Sequence, residues 1–211
     1  MESVQTIANL FRSPVLPVLS LEKARGEMIR KGIHLLVAIV PAIHSLFGSY
    51  TLLLLAVGTA LYILLEILTL KGCTIPVFHT IIGAANRERD KGKFAFGPLT
   101  LGLGAFLSLV FFPYHAACIA IYALAFGDGF ASLIGRIFGK TRPTILMGKS
   151  VEGSLSCFLA VYISALHLSH DWKLSFCAAL IAAIMEALPL KDWDNIIIPL
   201  AVGYITTVLA P

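Results

Sequence analysis

Long apolar stretches separated by short polar breaks dominate this chain. Seven can be drawn, at about residues 33–49, 50–70, 98–113, 116–135, 152–169, 173–189 and 195–210. Several fall short of the roughly 20 residues that cross a bilayer directly. Pro41, Gly58, Gly102 and Gly104 lie inside them and predict bends or partial spans. The fold expected is all-α: a polytopic transmembrane bundle of about seven spans, some broken or re-entrant. Before the first span, "SLEKARGEMIRKGIH" reads as a helix start with Ser20 as its cap. Residues 1–20, ending in "PVLPVLS", read as an interfacial lead-in, and residues 21–211 as one transmembrane domain. No apolar leader ending in small residues opens the chain, so no cleavage is expected there.

Composition agrees. Of 211 residues, 58% are hydrophobic and only 13% charged, with a mean hydropathy of +0.88. A soluble domain carries about 25% charged residues. Cys73, Cys118, Cys157 and Cys177 are scattered without a close pair and read as apolar filler, not as metal ligands or disulfides.

The basic residues alternate sides. Turns near Gly48–Ser49 and Pro113–His115 hold no lysine or arginine. Arg12 to Lys31, Lys71 to Lys93, Arg136 to Lys149 and Lys191 hold nearly all of them, with Lys173 the exception. The positive-inside rule then puts the N-terminus and long loops in the cytoplasm and the C-terminus outside. A bacterial inner membrane is the expected setting. The net charge of +4 is thus a topology signal, and nucleic-acid binding is not expected.

Against this background the acids stand out. Glu66, Asp128, Glu152 and Glu186 lie within or at the ends of apolar spans, all toward the basic side, with Asp192 and Asp194 just beyond. An ionised group at mid-bilayer costs at least a few kcal/mol, so such acids are functional candidates. Carboxylates gathered beside basic loops suit magnesium, which takes one or two of them and lets substrate phosphates complete its shell. His167, His170 and Asp171 fall on the other side and read as interfacial.

Three of the span acids sit in suggestive stretches. Asp128 lies between Gly127 and Gly129 in "AFGDGFASLIGRIFGK", where glycines let the backbone leave the helix or another backbone approach. The bland alternative pairs Asp128 with Arg136 or Lys140. In "GKSVEGS", Ser150 is a natural N-cap, and the unpaired N–H groups of a helix start beside Lys149 would attract an anion. A plain capped helix with Glu152 on its dipole is the alternative. In "EALPLKDWDN", Asp194 or Asn195 can cap the last span. Glu27, Lys31 and His34 share one helix face, either as a surface pair or as part of a site. The loop containing "NRERDKGKFAFGPLTLGLG" could bring arginine to a phosphate or serve as a lipid anchor, and its glycines permit close helix approach or a re-entrant path.

Taken in order, "EMIRKGIH", "GDGFASLIGRIFGK", "KSVEGS" and "EALPLKDWDN" resemble the membrane-bound CTP-dependent lipid kinases, the family of dolichol kinase, phytol kinase and the yeast-type diacylglycerol kinase. The likeness covers about residues 24–210, and the chain looks like a minimal catalytic core without the extra N-terminal spans of larger relatives. It implies magnesium-dependent transfer of the γ-phosphoryl group of CTP to a lipid hydroxyl at the cytoplasmic face. Asp128 matches the family's motif aspartate. Lys149, Ser150, Glu152 and Gly153 match its K-S-x-E-G element, and Arg30, Lys31 and His34 its R-K-x-x-H element. Gly135 and Gly139, with Lys140, match its glycine-basic tail, and Arg87 or Arg89 the arginine of the second cytoplasmic loop; Arg136 is counted with the residues expected to bind the nucleotide.

The mechanism expected has Asp128 and Glu152 holding magnesium, with Glu186 or Asp194 as a further ligand. Lys149, the start of the fifth span and Arg87 or Arg89 neutralise phosphate, and Asp128 or Glu152 accepts the hydroxyl proton. The alternative is a phosphatidate cytidylyltransferase, which shares the aspartate-glycine and lysine-glutamate-glycine elements. Its C-terminal signature is absent from "EALPLKDWDN", which favours the kinase. A small ion or solute carrier is the third reading, disfavoured because the acids keep to one membrane edge. Neither the lipid alcohol nor the oligomeric state is fixed by the sequence.

Overall fold

A computed structural model describes residues 21–73, 90, 92–146 and 148–210. Among these the chain is helical with no strand. Helix α1 spans Leu21–Leu36, and a 3₁₀ turn at Val37–Ile39 joins it to α2, Val40–Phe47. Pro41 explains the tightened turn, since its ring removes a donor and crowds the carbonyl four residues back. Then come α3 (Tyr50–Leu70), α4 (Phe96–Phe111), α5 (Tyr114–Tyr122), a π-helical turn at Ala123–Asp128, and α6 (Gly129–Ile137). The last three helices are α7 (Val151–Ser169), α8 (Trp172–Ala187) and α9 (Asp194–Leu209).

Four segments are long and apolar enough to cross a membrane: Gly26–Phe47, Tyr50–Leu70, Tyr114–Ile137 and Val151–Ser169. Helices α4 and α9 are apolar but shorter. The expected interruptions are fewer than the glycines suggested. Gly58, Gly102 and Gly104 lie inside unbroken helices. A methyl on Gly102 would sit 2.5 Å from the Thr59 hydroxyl, and one on Gly104 would strike the carbonyl of Asn195. These two glycines let α4 close on α3 and α9, the use small residues find between helices that gain little from burying apolar surface. The first turn of "GPLTLGLG" is likewise helix, not a re-entrant loop.

The segment Tyr114–Ile137 is the centre of the bundle. Of its most apolar window 67% is buried, against 11% for α3, whose leucines face outward. Alanines 116, 117, 120, 123 and 125 make that centre thin enough for neighbours to pack on every side. Helices α7 and α8 form an antiparallel pair whose buried residues, among them Cys157, Val161, Ala178 and Ala182, meet Ile198 and Val202 of α9. The ends of α6 and α8 and the starts of α7 and α9 consequently gather on one side, with the basic half of α1.

Candidate active site

At that end lies a cavity of about 330 Å³. Its wall takes Glu27, Arg30 and Lys31 from α1, Asp128 from the π turn, and Gly135 and Arg136 from α6. Arg142, Gly148, Lys149, Ser150 and Gly153 come from the following loop and α7, and Glu186, Lys191 and Asp194 from the end of α8 to the start of α9. Six basic side chains against four carboxylates leave an excess of two positive charges.

The π turn puts Asp128 there. Such turns insert an extra residue into a helix and recur at functional sites. Gly127 and Gly129 then admit neighbours on both flanks. A methyl on Gly127 would lie 2.9 Å from the Val161 side chain, and one on Gly129 3.0 Å from Leu35. The two glycines are therefore packing positions that bring α7 and α1 up to the aspartate, and neither lines the cavity.

Asp128 is 3% exposed and its Oδ2 accepts from the ammonium of Lys31, itself 1% exposed. The partner is thus on α1, where the sequence alternatives were Arg136 or Lys140. His34 Nε2 stands 3.2 Å from the same oxygen and 2.8 Å from Asn195 Oδ1. Asn195 Nδ2 donates to Gly97 O at 3.2 Å and to Thr100 Oγ1 at 2.9 Å, carrying the polar network inward to α4. His34 is accordingly a supporting group behind Asp128 and does not line the cavity. Glu27 pairs with Arg30 at 2.5 Å and with Arg136 at 3.2 Å, not with Lys31.

Across the cavity, Lys149 Nζ donates to Glu186 Oε1 at 2.7 Å and to the Glu186 carbonyl. Ser154 Oγ reaches the other carboxylate oxygen at 3.3 Å. Ser150 caps α7 as expected, accepting from Gly153 N at 3.1 Å. The start of α7 is nevertheless not open to an anion in the expected way, because Val151 N already donates to Thr141 O at 2.9 Å. Asp194 lines the cavity and accepts from Asn195 N, while the N-cap position falls on Trp193, so neither expected cap is used. Gly135 and Gly153 touch: methyls there would lie 2.8 Å from Ser150 Oγ and from Ala131 O respectively. That contact seats α6 on the start of α7.

Not every expected acid converges. Glu66 is buried elsewhere, accepting from Ala95 N at 3.1 Å, where it fixes the approach to α4. Glu152 lies beside the cavity without lining it and accepts from Lys140 N and Thr141 N. Lys140 is an exposed side chain outside the lining. Arg87 and Arg89, with the lead-in 1–20, lie outside the described residues. Arg142 and Lys191 were not singled out in the sequence. A lone arginine in a loop carries no periodic signal, and its role depends on bonds to Gly148 O and Gly135 O at 2.7 and 2.6 Å.

No group of three or more histidine, cysteine or acidic side chains able to hold a metal occurs among the described residues. The wall fits magnesium only in the form in which phosphates supply most ligands. It offers Asp128 and Glu186, both buried, each already facing a cationic lysine.

Phytol kinase 1, chloroplastic, of Arabidopsis thaliana is 32% identical over 153 residues, covering 64% of this chain and 50% of that protein. CTP-dependent diacylglycerol kinase 1 of Eremothecium gossypii is 27% identical over 211 residues, 79% of this chain and 65% of that protein. The Saccharomyces cerevisiae protein of the same name is 26% identical over 163 residues, 64% and 56% respectively. The chain thus spans between half and two-thirds of the length of these relatives. No family profile and no solved structure matches it.

Proposed function

We infer that this chain, a relative of the phytol kinases and the CTP-dependent diacylglycerol kinases, transfers the γ-phosphoryl group of CTP to the hydroxyl of a lipid alcohol. The observation that carries the reading is the cavity at the basic end of the bundle, where buried Asp128 and Glu186 stand among basic side chains. An excess of two positive charges matches a magnesium–triphosphate complex better than an uncharged solute.

In this reading Arg30, Arg136, Lys149 and Lys191 bind the phosphates. Asp128 and Glu186, with Asp194 nearby, would hold magnesium, which would supply charge neutralisation to the phosphates. Lys31 and His34 fix the Asp128 carboxylate, and Asn195 fixes His34. The acceptor's hydroxyl enters from the bilayer side, and its apolar body stays among the helices. Phosphoryl transfer asks the protein mainly for alignment and for charge placed before the reaction begins. By the positive-inside rule, the basic residues around the cavity support a cytoplasmic site in a bundle of about seven membrane helices. The relatives named above come from a plant and from fungi, which lends no particular support to a bacterial membrane.

The test is a lipid kinase assay on purified protein with a panel comprising phytol, farnesol, a polyprenol and diacylglycerol, each with CTP and with ATP. The reading expects at least one alcohol to be phosphorylated with CTP preferred. Absence of phosphorylation across the panel in protein shown to be folded would refute it.

A further inference from the structure

Glu152 matches the glutamate of a motif that pointed to metal binding, yet its carboxylate is occupied otherwise. Its Oε1 accepts the N–H of Lys140 at 3.1 Å and of Thr141 at 3.0 Å, and Oε2 stands 3.3 Å from the same Thr141 nitrogen. The Thr141 carbonyl in turn accepts the N–H of Val151 at 2.9 Å. The segment between α6 and α7 is thereby closed at its neck. Inside it, Arg142 Nη1 donates to Gly148 O at 2.7 Å and Nη2 to Gly135 O at 2.6 Å. This closed segment presents Arg142, Gly148, Lys149 and Ser150 to the cavity.

We propose that Glu152 is a positioning residue that clasps the loop after α6 to the first turn of α7, so that Lys149 and Arg142 stay on the cavity wall, and that it is not a metal ligand. Two successive backbone N–H groups converging on a carboxylate are charge-assisted donors. A negative side chain in the first turn of α7 also complements the helix dipole. To reach a metal shared with Asp128, Glu152 would have to release these bonds and free the neck of the loop. What the loop faces rests on the nucleotide reading of the cavity; the clasp itself does not.

The two roles respond differently to substitution. Glutamine keeps one oxygen able to accept both N–H groups, so a clasp survives Glu152→Gln while a metal ligand does not. Alanine removes both functions, and Glu152→Asp shortens the reach and behaves like alanine toward the clasp. Limited trypsin digestion of the whole protein in detergent reads the neck directly at the Lys140–Thr141 bond; the Arg142–Pro143 bond resists trypsin and does not interfere. Cleavage is expected to be about tenfold faster in Glu152→Ala and Glu152→Asp than in wild type, and within about twofold of wild type in Glu152→Gln. In parallel, Glu152→Gln is expected to recover most of the kinase rate lost in Glu152→Ala, with an unshifted magnesium half-saturation. Wild-type cleavage rates in Glu152→Ala overturn the proposal, as does a Glu152→Gln enzyme as inactive as Glu152→Ala. Digestion needs no substrate, so a wild-type protein without kinase activity would sink the functional reading and leave the clasp to be judged by cleavage alone.

Discussion

The ammonium of Lys31 rests on the carboxylate of Asp128, 97 residues further along the chain, and both side chains are almost wholly buried. This pair ties α1 to the π turn at the centre of the bundle. Breaking one side of a buried pair leaves a charge without compensation, at a cost of about 3–5 kcal/mol, whereas replacing both with apolar groups is often neutral. Lys31→Met should therefore lower the unfolding temperature in detergent markedly, and Lys31→Met with Asp128→Leu should recover much of it. The double variant should still be inactive. A double variant as unstable as the single one would deny the pairing.

Lys149 and Glu186 form a further ion pair on the cavity wall. Lys149→Ala should weaken nucleotide binding by about tenfold to a hundredfold, a loss of 1.4 kcal/mol for each factor of ten. The check is KM for CTP at saturating lipid. An unchanged KM would remove Lys149 from the phosphate site.

Glu66 supplies a contrast among acids that the sequence puts at one depth. Its bond is to the backbone N–H of Ala95, away from the cavity. Glu66→Gln keeps an acceptor there and should hold kinase activity within about threefold of wild type, as judged by initial rates. A loss as large as that of Asp128→Asn would place Glu66 in the chemistry.

The glycines at the α6–α7 contact make a graded prediction. A methyl on Gly153 meets the backbone carbonyl of Ala131, which cannot turn aside, while one on Gly135 meets first the hydroxyl of Ser150. Gly153→Ala should cost about 1–3 kcal/mol, the usual range for overpacking, and Gly135→Ala less. Thermal unfolding of the two variants side by side gives the order, and the reverse order would contradict the packing described here.

Much of this arrangement was legible in the sequence. The apolar pattern placed the helix ends within a few residues, because a membrane-like chain writes its spans in hydropathy alone. Arg30, Lys31, Asp128, Gly135, Arg136, Lys149, Ser150, Gly153, Glu186 and Asp194 were all marked as candidates, and all line the cavity. What could not be read was pairing. That Asp128 would choose Lys31 over the nearer Arg136 depends on how α1 crosses the π turn, and no local pattern encodes a crossing. Glu152 shows the same limit: its partners are backbone N–H groups, which no side-chain motif names. Arg142 was invisible because its value lies in two carbonyls that meet only after the loop has closed.

The central claim is phosphoryl transfer from nucleotide to lipid alcohol, and the position of a label in CTP tests it most directly. Purified protein with a lipid acceptor and magnesium should move label from the γ-phosphate of CTP into the lipid, leave α-label in CDP, and lose both outcomes in Asp128→Asn. Label from the α-phosphate appearing in the lipid, with pyrophosphate released, would contradict the account and identify a cytidylyltransferase instead.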